Sequence, residues 1–314
     1  MTDSPVAVID LGSNSIKVLV AARRPDGTLG ALHQSTIEAR ISSGIGGALP
    51  RLSDAGMARG LQAVQALLAE AAPFAPARTV IVATSAVRDA ANGPEFRERI
   101  RAATSHAVRL LSGDEEASLI GAGLTCDPAL AALRDFTVFD LGGGSLECLN
   151  FRARKLDKEV SLQLGCVRMM EQFAPSPSAA FTAAAAAALA AHVSDQLTGS
   201  GFPLALPPGG AAIGTGGTFS TARAILAARA GIPFDQSHPV LRLADLRTLE
   251  FVGQLALAER RTLPGLPTGR ADIFPVALVT VLTLAGLGGY TEFRHSTYNL
   301  RWGVAAELLR AGSE

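Results

Sequence analysis

The sequence has 314 residues, of which 48 % are hydrophobic and 18 % are charged, so a mostly disordered chain is excluded. Its 28 basic and 28 acidic residues cancel, so net charge provides no attraction for nucleic acid and any anion site must be local. A chain of this length is comfortable for two domains, each with its own core.

The three cysteines (Cys126, Cys148 and Cys166) are scattered and form no C-x-x-C pair, which argues against a disulfide framework or a zinc site. The N-terminal residues do not have the pattern of a signal peptide. The longest apolar stretch, residues 276–287, is too short to span a bilayer. We therefore expect a cytoplasmic protein with no membrane partner.

The first half is predicted to open with a β-hairpin and to continue with alternating helices and strands. A long amphipathic helix capped by Ser53 precedes a buried strand, whose carboxyl end leads into the polar segment 84–92. The predicted elements are a hairpin at 6–21, strands at 29–41, 79–83 and 107–111, and helices at 53–72, 95–104 and 112–124.

The second half repeats this order, again beginning with a hairpin. Its predicted elements are a hairpin at 136–151, a basic turn at 152–158, strands at 159–164 and 211–213, and helices at 181–197, 219–230, 243–261, 273–287 and 300–310. Hairpins followed by βαβ units, present twice, predict two α/β domains with a cleft between them.

Each hairpin carries the motif D-L-G-x-x-S, at residues 10–15 and 140–145. Glycines allow the backbone to turn tightly and approach a ligand, and successive N–H groups in such a turn form a concavity that suits phosphate. A strand follows each motif, so neither is a dinucleotide-binding fingerprint, which requires a helix. The predicted phosphate-binding residues are Gly12, Ser13, Asn14, Ser15, Gly142, Gly143, Gly144 and Ser145.

Three acidic residues in these hairpins are candidate metal ligands. Asp10 and Asp140 end the first strand of their hairpins, and carboxylates together with substrate phosphates are typical ligands of Mg²⁺. The alternative is that both aspartates only accept hydrogen bonds from turn amides. Glu147 can reach the metal or a water, or else occupies an exposed strand position.

Two further residues are candidates for chemistry. Ser112 and Glu115 match a capping box, which leaves Glu116 free to act as a general base on water. Arg88 follows the strand at 79–83, where its guanidinium could clamp phosphate oxygens. The alternative for Arg88 is a surface ion pair with Asp89 or Glu95.

A third glycine-rich segment lies between a predicted strand and the N-terminus of a helix, a position that favours an anion or the sugar-phosphate of a nucleotide. The alternative is a purely structural turn. The segment comprises Gly214, Thr215, Gly216, Gly217 and Thr218.

Several motifs, in this order along almost the whole chain, resemble the exopolyphosphatase / guanosine pentaphosphate phosphatase family of the actin, sugar-kinase and heat-shock-chaperone superfamily. They are VAVIDLGSNSIKVLVA, TSAVRDA, LLSGDEEASLIGAG, FDLGGGSLE, LGCVRMME, IGTGGT, PGLPTGRADIFP and LRWG. The resemblance implies two ribonuclease-H-like domains, at 1–124 and 125–314, with the active site in the cleft between them. We also expect that the C-terminal helix, about residues 300–314, can pack back on the first domain.

The resemblance also implies Mg²⁺-dependent release of terminal phosphate, with Mn²⁺ as the alternative ion. Inorganic polyphosphate is the expected substrate, guanosine pentaphosphate the alternative, and a homodimer an option for assembly. The family's catalytic glutamate falls on Glu116, its metal- and water-positioning acids on Asp140 and Glu147, and its phosphate-binding arginine on Arg88. Longer members of the family carry a further C-terminal helical region. For this protein we therefore expect polyphosphate of short to medium length as the substrate.

Two other functions are compatible with the pattern. One is phosphoryl transfer from ATP to a small hydroxyl compound, as in the sugar kinases; the Glu115-Glu116 helix start favours hydrolysis over it. The other is a non-hydrolysing sensor of phosphorylated nucleotides or polyphosphate, which would be expected to lack one of the matched acids.

Overall fold

A computed structural model describes residues 4–43, 49–174, 176 and 178–310 of the chain. The first three residues of the predicted N-terminal domain and the last four of the predicted C-terminal helix lie outside these ranges. The chain folds into two compact units, Met1–Ala132 with Tyr298–Glu314, and Leu133–Thr297. Each unit has its own mixed sheet with helices, which confirms the predicted α/β class.

The first unit is built on a sheet with the strand order β3-β2-β1-β4-β5. The hairpin strands β1 and β2 are antiparallel, whereas β1, β4 and β5 run parallel. The carboxyl ends of β1, β4 and β5 therefore meet at one edge of the sheet. The strands are β1 (Val6–Leu11), β2 (Ile16–Arg23), β3 (Leu29–Ile37), β4 (Arg78–Ala83) and β5 (Val108–Leu110).

Helices cover this sheet with their apolar sides. Ser53 caps the first of them, since its Oγ accepts a hydrogen bond from the Gly56 amide at 3.0 Å. Met57, Val64 and Leu67 of that helix are buried in the core of the unit. The helices of this part of the chain are α1 (Asp54–Ala71), α2 (Ser85–Asp89), α3 (Gly93–Thr104) and α4 (Gly113–Thr125).

The second unit repeats this arrangement in the order β8-β7-β6-β9-β11 and adds β10 at the edge. Residues 152–158 were predicted as a basic turn, but only Ala153 and Arg154 turn, at φ 49° and 64°, because Arg152 pairs directly with Lys155. The strands are β6 (Phe136–Leu141), β7 (Leu146–Arg152), β8 (Lys155–Leu162), β9 (Ala211–Thr215), β10 (Val240–Arg242) and β11 (Glu292–His295).

One predicted helix of the second unit was wrong. The predicted helix at 243–261 is three short helices, and the Arg260 side chain stabilises the break by donating to the carbonyls of Val252 and Gly253 at the end of the second one. The helices are α5 (Cys166–Phe173), α6 (Ala183–Gly199), α7 (Gly216–Arg229), α8 (Leu243–Arg247), α9 (Phe251–Gln254), α10 (Leu257–Arg260) and α11 (Phe274–Gly288). No helix in the described residues is long and apolar enough to cross a membrane.

The last helix, α12 (Leu300–Arg310), packs against α4 in the first unit. Glycines permit this close approach, because a Cβ on Gly123 would lie 2.0 Å from the Asn299 carbonyl oxygen and one on Gly303 1.9 Å from that of Leu119. The described part of the C-terminal helix therefore belongs to the first unit. The division after Ala132 also lies eight residues beyond the expected boundary at 124.

Candidate active site

Three segments of predicted functional importance follow the carboxyl ends of the parallel strands in the first unit. The turn 12–15 follows β1, α2 follows β4, and the start of α4 follows β5. Open α/β sheets bind ligands outside the carboxyl ends of their strands. The fold thus gathers the first glycine-rich turn, Arg88 and Glu116 at one edge of this sheet.

Arg88 and Glu116 form an ion pair at this edge. The Arg88 Nη1 donates to Glu116 Oε2 at 3.0 Å and to the Leu111 carbonyl at 2.9 Å, and the Glu116 side chain is only 8 % exposed. Asp89 is also near, at 3.7 Å from Arg88 Nε, whereas Glu95 pairs with Arg99. Within the described parts of the chain, nothing accepts a hydrogen bond from Nη2 of Arg88, which leaves that nitrogen for a ligand oxygen.

The start of α4 has the predicted capping box. The Ser112 Oγ accepts from the Glu115 amide at 3.1 Å, and Glu115 Oε2 accepts from the Ser112 amide at 2.9 Å. These hydrogen bonds lower the pKa of Glu115, with a smaller contribution from Arg109. Glu115 therefore has a structural role at the helix terminus, while the next residue, Glu116, is buried beside Arg88.

The first glycine-rich turn is closely held by its surroundings. The Ser13 Oγ lies 3.3 Å from the Ser85 Oγ, and the Ser13 carbonyl accepts from the Ser42 hydroxyl at 3.1 Å. Asn14 is 3 % exposed, and neither atom of its side-chain amide has a hydrogen-bond partner in the described structure. Because an unsatisfied buried amide is costly, this arrangement is typical of a group that binds a ligand.

The two hairpins differ in the residue that lies opposite the aspartate of the repeated motif. Lys17 lies directly opposite Asp10 across β1 and β2, whereas Glu147 lies directly opposite Asp140 across β6 and β7. Burial raises the pKa of Asp10, and the charges of Lys17 and Arg301 act in the other direction. The first hairpin thus provides a cation for its aspartate, and the second provides another carboxylate.

In the second unit, four polar side chains form a row across adjacent strands. The strand register aligns Thr215 with Asp140, Asp140 with Glu147, and Glu147 with Ser161. Ser161 Oγ donates to Glu147 Oε1 at 2.9 Å, and Glu147 is 2 % exposed, so its interpretation as an exposed strand position is wrong. The Thr215 hydroxyl is fully buried and has no partner within the described residues.

This row fits a divalent cation. Like charges directly opposite on a sheet repel, and a cation between Asp140 and Glu147 would remove that cost. Mg²⁺ typically uses one or two carboxylates and completes its shell with water and substrate phosphates. The part of the chain that the structure describes contains no group of three or more His, Cys, Asp or Glu residues suited to a metal.

The second glycine-rich turn is fixed by the N-terminus of α5. The amides of Cys166 and Val167 donate to the carbonyls of Gly142 and Gly143 at 3.0 and 2.9 Å. Gly165 makes this approach feasible, since a Cβ there would lie 2.2 Å from the Gly144 backbone. The turn's carbonyls are therefore occupied, and the Gly143 and Gly144 N–H groups, which donate to no described residue, form the kind of concavity that binds phosphate.

The third glycine-rich segment is not a separate loop. β9 continues through Gly214 and Thr215, and α7 begins at Gly216, because the positive φ of Gly216 (86°) turns the chain directly into the helix. A Cβ on Gly216 would lie 2.2 Å from Asp140 Oδ1, so the aspartate packs against this residue. Thr218 Oγ1 donates to the Leu141 carbonyl at 3.3 Å, which ties the start of α7 to the end of β6.

Sequence reasoning did not assign a role to Arg270. The guanidinium of Arg270 packs against Gly217, since a Cβ on that glycine would lie only 2.2 Å from Nη1. Its Nη2 donates to Thr218 Oγ1 at 3.5 Å. Arg270 is 9 % exposed, and its Nε has no partner among the described residues. A buried guanidinium against the start of α7 adds a positive charge beside the predicted anion site. The only sequence indication was its place in the motif PGLPTGRADIFP.

A sequence model of the Ppx/GppA phosphatase family matches residues 19–311. An exopolyphosphatase from Cytophaga hutchinsonii ATCC 33406 has a similar crystal structure, with a TM-score of 0.87 at 21 % identity over 98 % of both chains. The Aquifex aeolicus member of the Ppx/GppA family gives a TM-score of 0.78 at 22 % identity, again over 98 % of both chains. An exopolyphosphatase-like protein gives 0.84 at 23 % identity over 98 % of this chain and 99 % of that one. All of these structures have the fold described above.

Proposed function

The chain belongs to the Ppx/GppA phosphatase family, and we propose that it hydrolyses inorganic polyphosphate from its end, releasing orthophosphate with Mg²⁺. Its class is that of a phosphoanhydride hydrolase, as the family membership indicates. Polyphosphate is the first substrate to test, because the exopolyphosphatase from Cytophaga hutchinsonii has the same fold. The proposed preference is for polyphosphate of short to medium length. Guanosine pentaphosphate is the alternative substrate within the same chemistry.

The observation that carries this proposal is the Arg88–Glu116 pair at the carboxyl edge of the first sheet. Hydrolysis needs a water that is oriented and loses a proton as it attacks, and a fixed carboxylate serves both purposes. Glu116 accepts this proton, while the free Nη2 of Arg88 holds an oxygen of the terminal phosphate. Phosphoryl transfer depends mainly on such positioning and charge stabilisation.

The second unit carries its own candidate groups for phosphate and metal. The N–H groups of Gly143 and Gly144 donate to phosphate oxygens, and Asp140 and Glu147 are the proposed ligands of the metal ion. Bound Mg²⁺ would neutralise charge on the phosphate chain and on the leaving group. Asp10 is also a proposed ligand candidate, although the positive charge of Lys17 lies directly opposite it. Oxygen ligands of this type suit Mn²⁺ as well.

The test is phosphate release by the purified protein in the presence of Mg²⁺, with short polyphosphate, long polyphosphate and guanosine pentaphosphate as substrates. Glu116→Gln should lower the rate by about 100-fold or more, the usual contribution of a general base. Glu115→Gln is the matched control: glutamine keeps the capping box, so activity should be retained.

Each outcome distinguishes the proposals. Release from the nucleotide alone would identify guanosine pentaphosphate as the substrate. Full activity of Glu116→Gln would eliminate Glu116 as the base. Tight binding of a substrate without release would make the protein a sensor.

A further inference from the structure

A buried histidine with two polar neighbours lies on β11, next to β9, the strand that carries Thr215. His295 ends β11, and its Nε2 lies 3.0 Å from the Ser220 Oγ on α7. Its Nδ1 lies 3.4 Å from the Arg223 Nη1, one turn further along the same helix. None of these residues was assigned a role from the sequence.

The guanidinium determines the direction of these hydrogen bonds. Arginine has donors only, so Nδ1 of His295 must be the acceptor and its proton must reside on Nε2. The Nε2–H then donates to the Ser220 Oγ, and Ser220 donates its own proton to the Gly216 carbonyl at 3.0 Å. Burial, together with Arg223, lowers the pKa of His295 to about 3, so the neutral ring persists at physiological pH.

Arg223 itself is firmly placed. Its Nε donates to the Ser237 Oγ at 2.9 Å, and its Nη2 donates to the carbonyls of Ser237 and Phe234 at 2.5 and 3.0 Å. The guanidinium also lies 4.5 Å from the centroid of the Phe234 ring, at cation–π distance. The chain of hydrogen bonds therefore starts from a fixed donor.

The series of hydrogen bonds ends at Gly216, which contacts the proposed metal ligand Asp140. Gly216 has a φ of 86°, and Asp140 Oδ1 occupies the space that a Cβ on Gly216 would take. A small rotation of this peptide would thus move the surface against which the carboxylate rests. Ser220 donates to the carbonyl oxygen of this same residue, Gly216.

We propose that Ser220 and His295 are positioning residues for Asp140, acting through Gly216; this inference rests on the proposed metal-dependent function. They touch neither substrate nor metal. Arg223 orients His295, His295 fixes the hydroxyl of Ser220, and Ser220 holds the Gly216 peptide so that Asp140 keeps one orientation.

The neighbouring residue Thr221 provides a matched control. Its Oγ1 donates to the Gly217 carbonyl at 2.8 Å, the same i to i−4 hydrogen bond that Ser220 makes, but it forms no hydrogen bond with His295. A comparison of Ser220→Ala with Thr221→Ala therefore separates the histidine-linked hydrogen bond from an ordinary side-chain bond to the helix backbone.

The experiment is a titration of the substrate-free protein with Mn²⁺, followed by electron paramagnetic resonance, together with the Mg²⁺ concentration that gives half-maximal phosphate release. Ser220→Ala should raise the Mn²⁺ dissociation constant and the Mg²⁺ requirement roughly 10-fold, as is usual for partners of metal ligands. Thr221→Ala should change neither. His295→Leu should resemble Ser220→Ala, and His295→Gln, which retains an N–H donor, should recover most of the loss.

Equal Mn²⁺ affinities in the wild type and Ser220→Ala, or equal losses in Ser220→Ala and Thr221→Ala, would overturn the inference. A wild-type protein that binds no Mn²⁺ would overturn it as well. Because the Mn²⁺ titration needs no turnover, it still decides the inference if no substrate is hydrolysed. A failure of the proposed function would then be recognised separately, from phosphate release.

Discussion

Arg88 and Glu116 share one hydrogen bond at 3.0 Å, although 28 positions separate them in the sequence. The pair joins the residue proposed to hold the terminal phosphate to the residue proposed to activate water. The Leu111 carbonyl accepts from the same nitrogen, which fixes the guanidinium. A phosphate bound to Nη2 would consequently lie within reach of the glutamate.

Replacement of Arg88 should affect turnover more than folding. Arg88→Ala is expected to lower kcat roughly 100-fold, the usual result of removing a charged donor that stabilises a transition state. Arg88→Lys should recover only part of this loss, because one ammonium group cannot contact Leu111, Glu116 and phosphate in a fixed fork. Arg101→Ala, which removes an exposed pair with Glu98, is the control and should keep full activity. Unchanged kcat in Arg88→Ala would contradict the assignment.

The two aspartates of the repeated motif should differ in their effect on metal use. Asp140→Asn should raise the Mg²⁺ concentration for half-maximal activity by at least about 10-fold, whereas Asp10→Asn should raise it less, since Lys17 faces Asp10. Asp140→Asn should also raise the melting temperature without metal, because it removes the repulsion from Glu147. Thermal unfolding with and without Mg²⁺ measures this. A larger effect of Asp10→Asn would place the metal on the first hairpin instead.

Gly216→Ala should damage the site in addition to destabilising the fold. Its left-handed backbone costs about 1 kcal/mol or more for alanine, and the new Cβ would meet Asp140 Oδ1. Gly209→Ala is the control, with a φ of 74° and open space around its Cβ. Both variants should lose thermal stability, but only Gly216→Ala should lose Mg²⁺-dependent phosphate release. Equal activity of the two would show that the contact with Asp140 has no consequence.

The buried state of His295 predicts a loss of stability in acid. Its pKa is about 3 in the fold and about 6.5 in the unfolded chain, so between these values the unfolded state binds more protons. The contribution of the neutral His295 ring to the free energy of unfolding is complete above pH 6.5. At pH 5 the free energy of unfolding should be lower by about 2 kcal/mol. Urea unfolding of the wild type and His295→Gln at both pH values measures it. His238→Gln, at an exposed position, should behave as the wild type; the same pH dependence in His295→Gln would contradict the prediction.

Local patterns predicted much of the fold and of the candidate site. The hairpins, the N-cap at Ser53 and the capping box at Ser112 depend on residues close in sequence, so their geometry follows from local preferences. The predicted helix at 243–261 was wrong for the opposite reason. Arg260 becomes buried and satisfies carbonyls that a continuous helix would have used itself, which is an effect of tertiary packing.

Burial and partners could not be predicted in the same way. The sequence left Glu147 either exposed or functional, and only the register of β6, β7 and β8 places it between Asp140 and Ser161. Arg270 had no assigned role because it follows Gly217 by more than fifty positions, yet it packs on that glycine. Contacts of this kind depend on how strands and helices assemble.

The sequence by itself determined the repeated D-L-G-x-x-S hairpins, the α/β class and the chemical types of the candidate residues, because these depend on local backbone preferences and side-chain identity. The tertiary structure decided which of those residues meet: Arg88 with Glu116, Glu147 with Asp140, and Ser220 with both His295 and Gly216. Arg88 meets Glu116 where parallel strands align their carboxyl ends, whereas Glu147 meets Asp140 through the register of an antiparallel pair. Ser220 meets His295 through the packing of α7 near β11, where water is excluded and buried polar groups require partners.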